Sequence, residues 1–164
     1  MIIETDRLQI VALTIDQLTL WTDDIKTLEK ELNCTYAGEP MEGFFLGIVK
    51  RITEVIKSDE DNYIFSTFWF MIRKSDRVVV GSTSFKGIPN DKNEVGIGYG
   101  LGKVYEGNGY MTETVKAMCK WAKEHEDISY VIAETEAGNV KSENVLKRCG
   151  FVFYKKDTNT WWRV

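Results

Sequence analysis

Gly107-Asn108-Gly109 stands directly before a helical pattern that opens with Tyr110 and Met111 and carries Glu113. Residues of these types at this spacing can bind an anion. Glycines let successive N–H groups turn inward with no side chain in the way. The free N–H groups and the positive end of a helix attract phosphate. Just upstream, Gly96, Gly98, Gly100 and Gly102 fill every second position. Each interior glycine weakens a strand, so four in alternation imply close approach of a ligand or of another backbone. Other phosphate-binding signatures are incomplete. A P-loop needs G-K-[ST], which the chain lacks. Gly107 to Thr112 lacks the third glycine of a dinucleotide fingerprint.

Other reactive residues are sparse. Cys34, Cys119 and Cys149 are far apart, and His125 is the single histidine. No zinc set can be assembled from them. Cys119 and Cys149 fall on apolar helix stripes and read as core thiols. Lys141, Lys147 and Arg148 form a local basic cluster, read either as a solvated helix face or as contacts for a ligand phosphate. The net charge is −4, with no dominant Lys/Arg run, so broad nucleic-acid binding is not expected. Met1 to Leu13 contains Glu4, Asp6 and Arg7 and does not read as a signal peptide. No apolar run approaches membrane-spanning length. The expectation is a cytoplasmic domain covering residues 1–164, with no metal, nucleic acid or membrane partner.

The elements that must position these residues follow from periodicity. Leu8 to Leu13 reads as a first strand. Leu18, Trp21, Ile25, Leu28 and Leu32 recur at steps of three and four, one amphipathic helix starting near Asp16. Asn33 to Met41 is a loop. Phe45, Ile48, Val49, Ile52 and Ile56 mark a second helix ending near Ser58. Phe68–Arg73 and Val78–Phe85 flank a polar turn and form a hairpin. Glu94–Leu101 is a strand, Met111 to Ala122 a helix and Tyr130–Thr135 a strand. Ser142 to Cys149 is a short helix closed by Gly150, and two strands around Asp157-Thr158-Asn159-Thr160 end the chain. The fold class is α/β: one mixed sheet of about seven strands with helices on both faces. The strand–helix–strand unit from Glu94 to Thr135 implies a parallel pair.

Several segments together resemble a known family. Asn93-Glu94-Val95-Gly96-Ile97-Gly98-Tyr99 and Tyr105-Glu106-Gly107-Asn108-Gly109-Tyr110-Met111-Thr112-Glu113 are similar to the GNAT N-acetyltransferase superfamily. They are most similar to the branch that acetylates N-termini of ribosomal proteins. Asn139-Val140-Lys141-Ser142, Cys149-Gly150-Phe151, Glu4-Thr5-Asp6-Arg7-Leu8 and Trp161-Trp162-Arg163-Val164 resemble further segments of that branch. The resemblance implies a mostly antiparallel sheet with a bulged, splayed strand near Tyr99, and acetyl-CoA as co-substrate. It assigns the pyrophosphate to N–H groups of Gly107, Asn108, Gly109, Tyr110, Met111 and Thr112. It assigns the pantetheine arm to the backbone of Tyr99, Gly100 and Leu101, with Asn139 and Ser142 near the thioester. Three positions depart from the pattern: Glu106 replaces Arg or Gln, Met111 a small residue, and Leu146 a Tyr that many relatives use as proton donor.

Acetyl transfer needs a neutral amine. An α-amino group, at ~7.7–8.0, needs less help from a base than Lys at ~10.4. Glu94 is the first candidate base, directly or through water. Glu134 on the neighbouring strand is the second. Ser142 is the candidate acid, by analogy with the ribosomal branch. Asn139 also reads as a helix N-cap, a role compatible with binding. The expected activity is direct acetyl transfer to a primary amine, on a protein N-terminus or a small molecule, by a monomer or homodimer. The region from Trp21 to Phe70 is expected to shape the acceptor pocket. Glu106, Met111 and Leu146 motivate an alternative, an acyl-CoA-binding sensor or interaction module.

Overall fold

The computed structural model describes residues 1–38 and 40–164. The chain begins with β1 (Ile2–Glu4) and β2 (Leu8–Ala12). Helices α1 (Ile15–Asp23) and α2 (Ile25–Leu32) follow, then β3 (Thr35–Tyr36) and α3 (Gly43–Ser58). The hairpin is β4 (Phe68–Arg73) and β5 (Val78–Phe85), followed by β6 (Glu94–Leu101), α4 (Tyr110–Ala122) and β7 (Tyr130–Thr135). The chain closes with α5 (Val140–Arg148), β8 (Val152–Lys156) and β9 (Thr160–Arg163).

One sheet runs β1-β2-β4-β5-β6-β7-β9-β8, with β3 added beside β5. Among the described residues its nine strands exceed the expected seven by β1 and β3, which are too short to show a period. The described pairs are antiparallel except β6·β7 and the two-residue β3·β5. Where one helix was expected after β2, there are two. Asp24, with non-helical backbone angles (φ −150°, ψ 76°), donates its N–H to Leu20 O and ends α1, while its side chain accepts from Thr27 N and starts α2. The apolar steps run straight through this break, so periodicity alone could not show it. Thr14, not Asp16, is the N-cap of α1, in a reciprocal capping box with Gln17. Of the predicted loop Asn33 to Met41, Glu39 lies outside the described residues and Thr35–Tyr36 forms β3.

The sheet divides the core in two. On one face Ile10, Trp69, Met71, Val95 and Ile97 pack beneath α4 and Leu146 of α5. On the other, Val11, Phe70 and Ile72 pack against α1, α2 and α3. Pairing of β6 with β7 covers only Glu94–Ile97 against Tyr130–Ala133. Beyond Ile97, β6 stays with β5 as far as Leu101, while Glu134 and Thr135 pair with β9. This divergence is the expected splay. The expected bulge near Tyr99 is absent: β5·β6 register is unbroken from Gly81↔Leu101 to Phe85↔Ile97. Register shifts fall instead in β4·β5, at Met71/Ile72, and in β8·β9, at Phe153/Lys155. Nor is the glycine face bare throughout. A Cβ on Gly96 or Gly98 would lie 3.0 or 2.5 Å from the Lys86 side chain, whereas one on Gly100 would meet nothing within 4 Å.

Candidate active site

The turn from β6 into α4 is built on two glycines that both hold φ +79°, Gly107 and Gly109. An L side chain is strained there. Gly109 is the N-cap residue of α4 and supplies no side-chain cap. The first-turn N–H groups, which a helix cannot satisfy internally, are left to an outside acceptor. Asn108 shapes the turn from within, its Nδ2 donating to the carbonyls of Tyr105 (3.0 Å) and Glu106 (3.1 Å).

The segment Thr5-Asp6-Arg7 braces this turn from the far end of the sheet. Arg7 Nε donates to Glu113 Oε2 at 2.8 Å, and Arg7 Nη1 donates to the Asn108 carbonyl at 2.9 Å. The Arg7 backbone N–H and the Thr5 hydroxyl both donate to Glu113 Oε1, at 2.9 and 2.6 Å. The guanidinium also lies over the Tyr110 ring, 4.6 Å from its centroid. Burial works to raise the Glu113 carboxyl, but the bonds from Thr5 and Arg7 outweigh it and hold it below the usual range. The sequence motif was visible, but not its partner more than a hundred residues away.

A cleft of about 1090 Å³ opens between this turn and α5. Its inner end is formed by Tyr99, Gly100 and Leu101, where β6 has parted from β7. Gly107, Gly109, Met111 and Thr112 line one wall, and Asn139 and Ser142 the other. Asn139 caps α5, accepting from Ser142 N at 3.2 Å. Ser142 Oγ and the Tyr99 hydroxyl share a hydrogen bond of 2.8 Å across the inner end. Burial pushes the Tyr99 phenol up and the Ser142 bond opposes this only in part, so Tyr99 stays protonated at neutral pH. This pair was missed at the sequence level. Its signal was the β6 alternation, which places Tyr99 on the face shared with Val95 and Ile97.

Positive charge is available along the cleft. Lys116, one turn beyond Thr112, lines it, as do Lys141 and Arg148. Lys147 instead lies over the Trp162 ring and pairs with Glu143. Glu106, the departure nearest the turn, is bridged to Lys141 at 2.5 Å, from one wall to the other. Leu146 is fully buried in the core under α5, with no room for a hydroxyl at the cleft. Met111, larger than the pattern expects, is buried as well as lining the wall.

Two expected site residues, Glu94 and Glu134, stand elsewhere, and two residues expected to offer only backbone N–H groups keep their side chains away. Asn108 and Tyr110 do not line the cleft; the Tyr110 side chain is buried between Arg7 and Arg73, whose guanidiniums both lie over its ring. Glu94 begins β6, about 17 Å back along the strand from Tyr99 at ~3.3 Å per residue. It is 6% exposed, accepts from Asn90 Nδ2 at 3.1 Å and lies 3.6 Å from Arg163 Nη1. Burial works to raise its carboxyl, but bonds from Asn90, Tyr154 and Arg163 and the charge of Lys92 outweigh it and hold it low. Glu134 accepts from Asn159 Nδ2 at 2.7 Å on the sheet face opposite the buried Ala133 and Thr135. The structure therefore brings neither carboxylate to the cleft. Glu94 lies at the closed end of the splay, which strand periodicity could not locate, and Glu134, at the open end, points to the face away from the cleft.

A second chamber of about 210 Å³ lies on the other face of the sheet. Trp21, Tyr36, Phe45, Phe70 and Tyr105 supply aromatic walls, and Ser82 a hydroxyl. Gly100 and Leu101 line both this chamber and the cleft, so a single strand separates them.

The chain is similar to known proteins, in sequence to one and in fold to others. The N-acetyltransferase YjdG of Bacillus subtilis (strain 168), named there as uncharacterized, is 26% identical over 155 residues, or 94% of this chain and 92% of its own length. The ribosomal-protein-S5-alanine acetyltransferase from Vibrio fischeri superposes with a TM-score of 0.68 at 17% identity, covering 100% of this chain and 96% of its own. RimL, a ribosomal L7/L12 alpha-N-protein acetyltransferase solved with coenzyme A, gives 0.68 at 13% identity, covering 100% and 97%. Residues 33–152 match the Acetyltransferase (GNAT) domain family. That match spans well over half of the sequence, from before α3 to the start of β8, and by it the chain belongs to the GNAT acetyltransferase family and is an acyltransferase.

Proposed function

We propose that this protein transfers an acetyl group from acetyl-CoA to a primary amine by direct attack. The observation that carries this reading is one strand segment, Gly100–Leu101, lining two chambers on opposite faces of the sheet. One chamber leads to an uncapped helix N-terminus behind a two-glycine turn; the other is aromatic. Donor and acceptor can then meet at the strand without either crossing the core. RimL, solved with coenzyme A, and the microcin C7 self-immunity acetyltransferase MccE, solved with acetyl-CoA and AMP, support the choice of donor.

The residues fit such a donor. Backbone N–H groups from Gly107 to Thr112 would receive the pyrophosphate, with Lys116, Lys141 and Arg148 as counter-charges. The main chain of Tyr99, Gly100 and Leu101, unpaired on the β7 side, would bond the pantetheine arm as an added strand. Bound acetyl-CoA supplies the activated acyl thioester. Tyr99 and Ser142 form a hydroxyl pair placed to protonate a leaving thiolate, taking the part that Leu146 cannot. Both carboxylates lining the cleft are occupied, Glu106 by Lys141 and Glu113 by Arg7. The acceptor is therefore an amine already neutral near pH 7–8, a protein α-amine or a small molecule of comparable basicity.

Calorimetry with acetyl-CoA and thiol release across an amine panel test this together. Binding with turnover of at least one amine is expected. Binding with no turnover across the panel would assign an acyl-CoA-binding module instead, and no acetyl-CoA binding would overturn both readings.

A further inference from the structure

The turn between β6 and α4 has little packing of its own. Glu106, Gly107, Asn108 and Gly109 are all exposed, and the two glycines are costly in entropy to hold in one shape. Its form depends on the flanking residues, half-buried Tyr105 and buried Tyr110. Arg7 reaches the middle and the exit of the turn, at the Asn108 carbonyl and the Tyr110 ring. Arg73 reaches both flanks. Trp69 and Met71 of β4 pack beneath α4, and the strand period of two puts Arg73 on the same face, where α4 begins. Its guanidinium lies over the Tyr105 ring, 5.3 Å from the centroid, and over the Tyr110 ring, 5.8 Å away, with Nη1 3.4 Å from the Tyr110 hydroxyl. Asp76, three residues on in the hairpin turn, orients it: Nε donates to Oδ1 at 2.9 Å and Nη2 to Oδ2 at 2.6 Å. Such a two-bond fork fixes the plane of the guanidinium. The Tyr105 carbonyl in turn accepts from Asn108 Nδ2 inside the turn.

We propose that Arg73 is a positioning residue for the donor: it clasps Tyr105 and Tyr110 and so holds the N–H groups that begin at Gly107 in the form that receives a pyrophosphate. It stands outside the cleft lining and acts through the two rings. The inference rests on the donor reading of the proposed function. Asp76 gives it a signature opposite in sign to plain electrostatics. Asp76→Asn removes a negative charge, which by field alone strengthens binding of an anion. Loosening the Arg73 fork weakens it instead.

Calorimetry of the full-length protein with coenzyme A tests this, with a thermal melt of each variant to confirm folding. Arg73→Met is expected to weaken binding about tenfold, the scale of a partly desolvated cation–π contact. Arg73→Lys should recover only part, because an ammonium lacks the planar fork. Asp76→Asn should weaken binding severalfold. Without ligand, amide order parameters of Gly107 and Gly109 should fall in Arg73→Met, while those of Trp69, Phe70 and Met71 keep their wild-type values. Unchanged affinity or unchanged turn order parameters in folded Arg73→Met, full recovery in Arg73→Lys, or unchanged or tighter binding by Asp76→Asn would overturn the inference and leave the donor reading standing. Should Arg73→Met not fold, the sign of the Asp76→Asn effect decides alone. No binding of coenzyme A by the unmutated protein would remove the donor reading and this inference together.

Discussion

Ser142 and Tyr99 come from an α-helical first turn and a strand, and among the described residues neither hydroxyl has another partner of comparable closeness. If the pair protonates the departing thiolate, Ser142→Ala should lower kcat by about 10²-fold, the lower end of general acid catalysis. Acetyl-CoA affinity should be nearly unchanged, because the phosphate contacts proposed for it lie at the α4 turn. Pre-steady-state kinetics with calorimetry separates these outcomes, and equal loss of affinity and kcat would point to a purely structural Ser142. The cysteines behave in the opposite way. Burial pushes Cys119 up to about 12 and Cys34 and Cys149 up to about 11. The thiolate, the reactive form, is then roughly one part in ten thousand or less at pH 7. Iodoacetamide should leave all three unmodified in the native protein and alkylate them in urea. Rapid native labelling would show a more open core.

Between elements, the decisive contact is the hook from the β1–β2 turn to the start of α4. The Arg7–Glu113 pair is only partly shielded, with side chains 48% and 18% exposed, so its worth to stability is about 1 kcal/mol or less. Its larger effect is geometric, because the same guanidinium holds the Asn108 carbonyl. Arg7→Ala is expected to raise the KM for acetyl-CoA about tenfold with little change in kcat. Arg7→Lys should recover only part of this, since an ammonium lacks the planar fork. Steady-state kinetics and a urea melt test both parts. The hook also has a pH signature. The folded Glu113 carboxyl lies below its unfolded value of ~4.3, so the unfolded chain binds more protons in that window. Its stabilising contribution is complete above about pH 4.3 and is lost as pH falls through the folded value. Glu113→Gln should therefore lower the urea midpoint at pH 7 and make a smaller difference at pH 3.

At the scale of the whole molecule, β6 is the structure's organising strand. It holds β5 along most of its length, releases β7 halfway, and separates cleft from aromatic chamber. Close approach of β5 and β6 depends on Gly81, where an added Cβ would fall 2.3 Å from the Gly100 carbonyl oxygen. Backbone cannot yield as a flexible side chain can. Gly81→Ala should cost about 1–3 kcal/mol, the usual range for overpacking. Gly100→Ala, which meets open space, should be close to neutral in the same urea titration.

Local sequence determined much of this protein. Alternation and turn residues located the Phe68–Arg73 and Val78–Phe85 hairpin, and Glu94–Leu101 and Tyr130–Thr135, at the bounds observed. The order strand–helix–strand required a parallel pair, and the glycine turn marked the uncapped helix end. These features depend on neighbours a few residues apart, and periodicity records such relations. The break at Asp24 escaped because the apolar steps pass through it unchanged. Only the tertiary structure decided which carboxylates reach the cleft, that Tyr99 meets Ser142, and that Arg7 finds Glu113. Those relations depend on where two strands part and on which surfaces pack between segments far apart in sequence. Glu94 illustrates the limit: its strand and pleat were legible, but the end at which β6 leaves β7 follows from packing of the whole sheet, and it put the cleft at the other end.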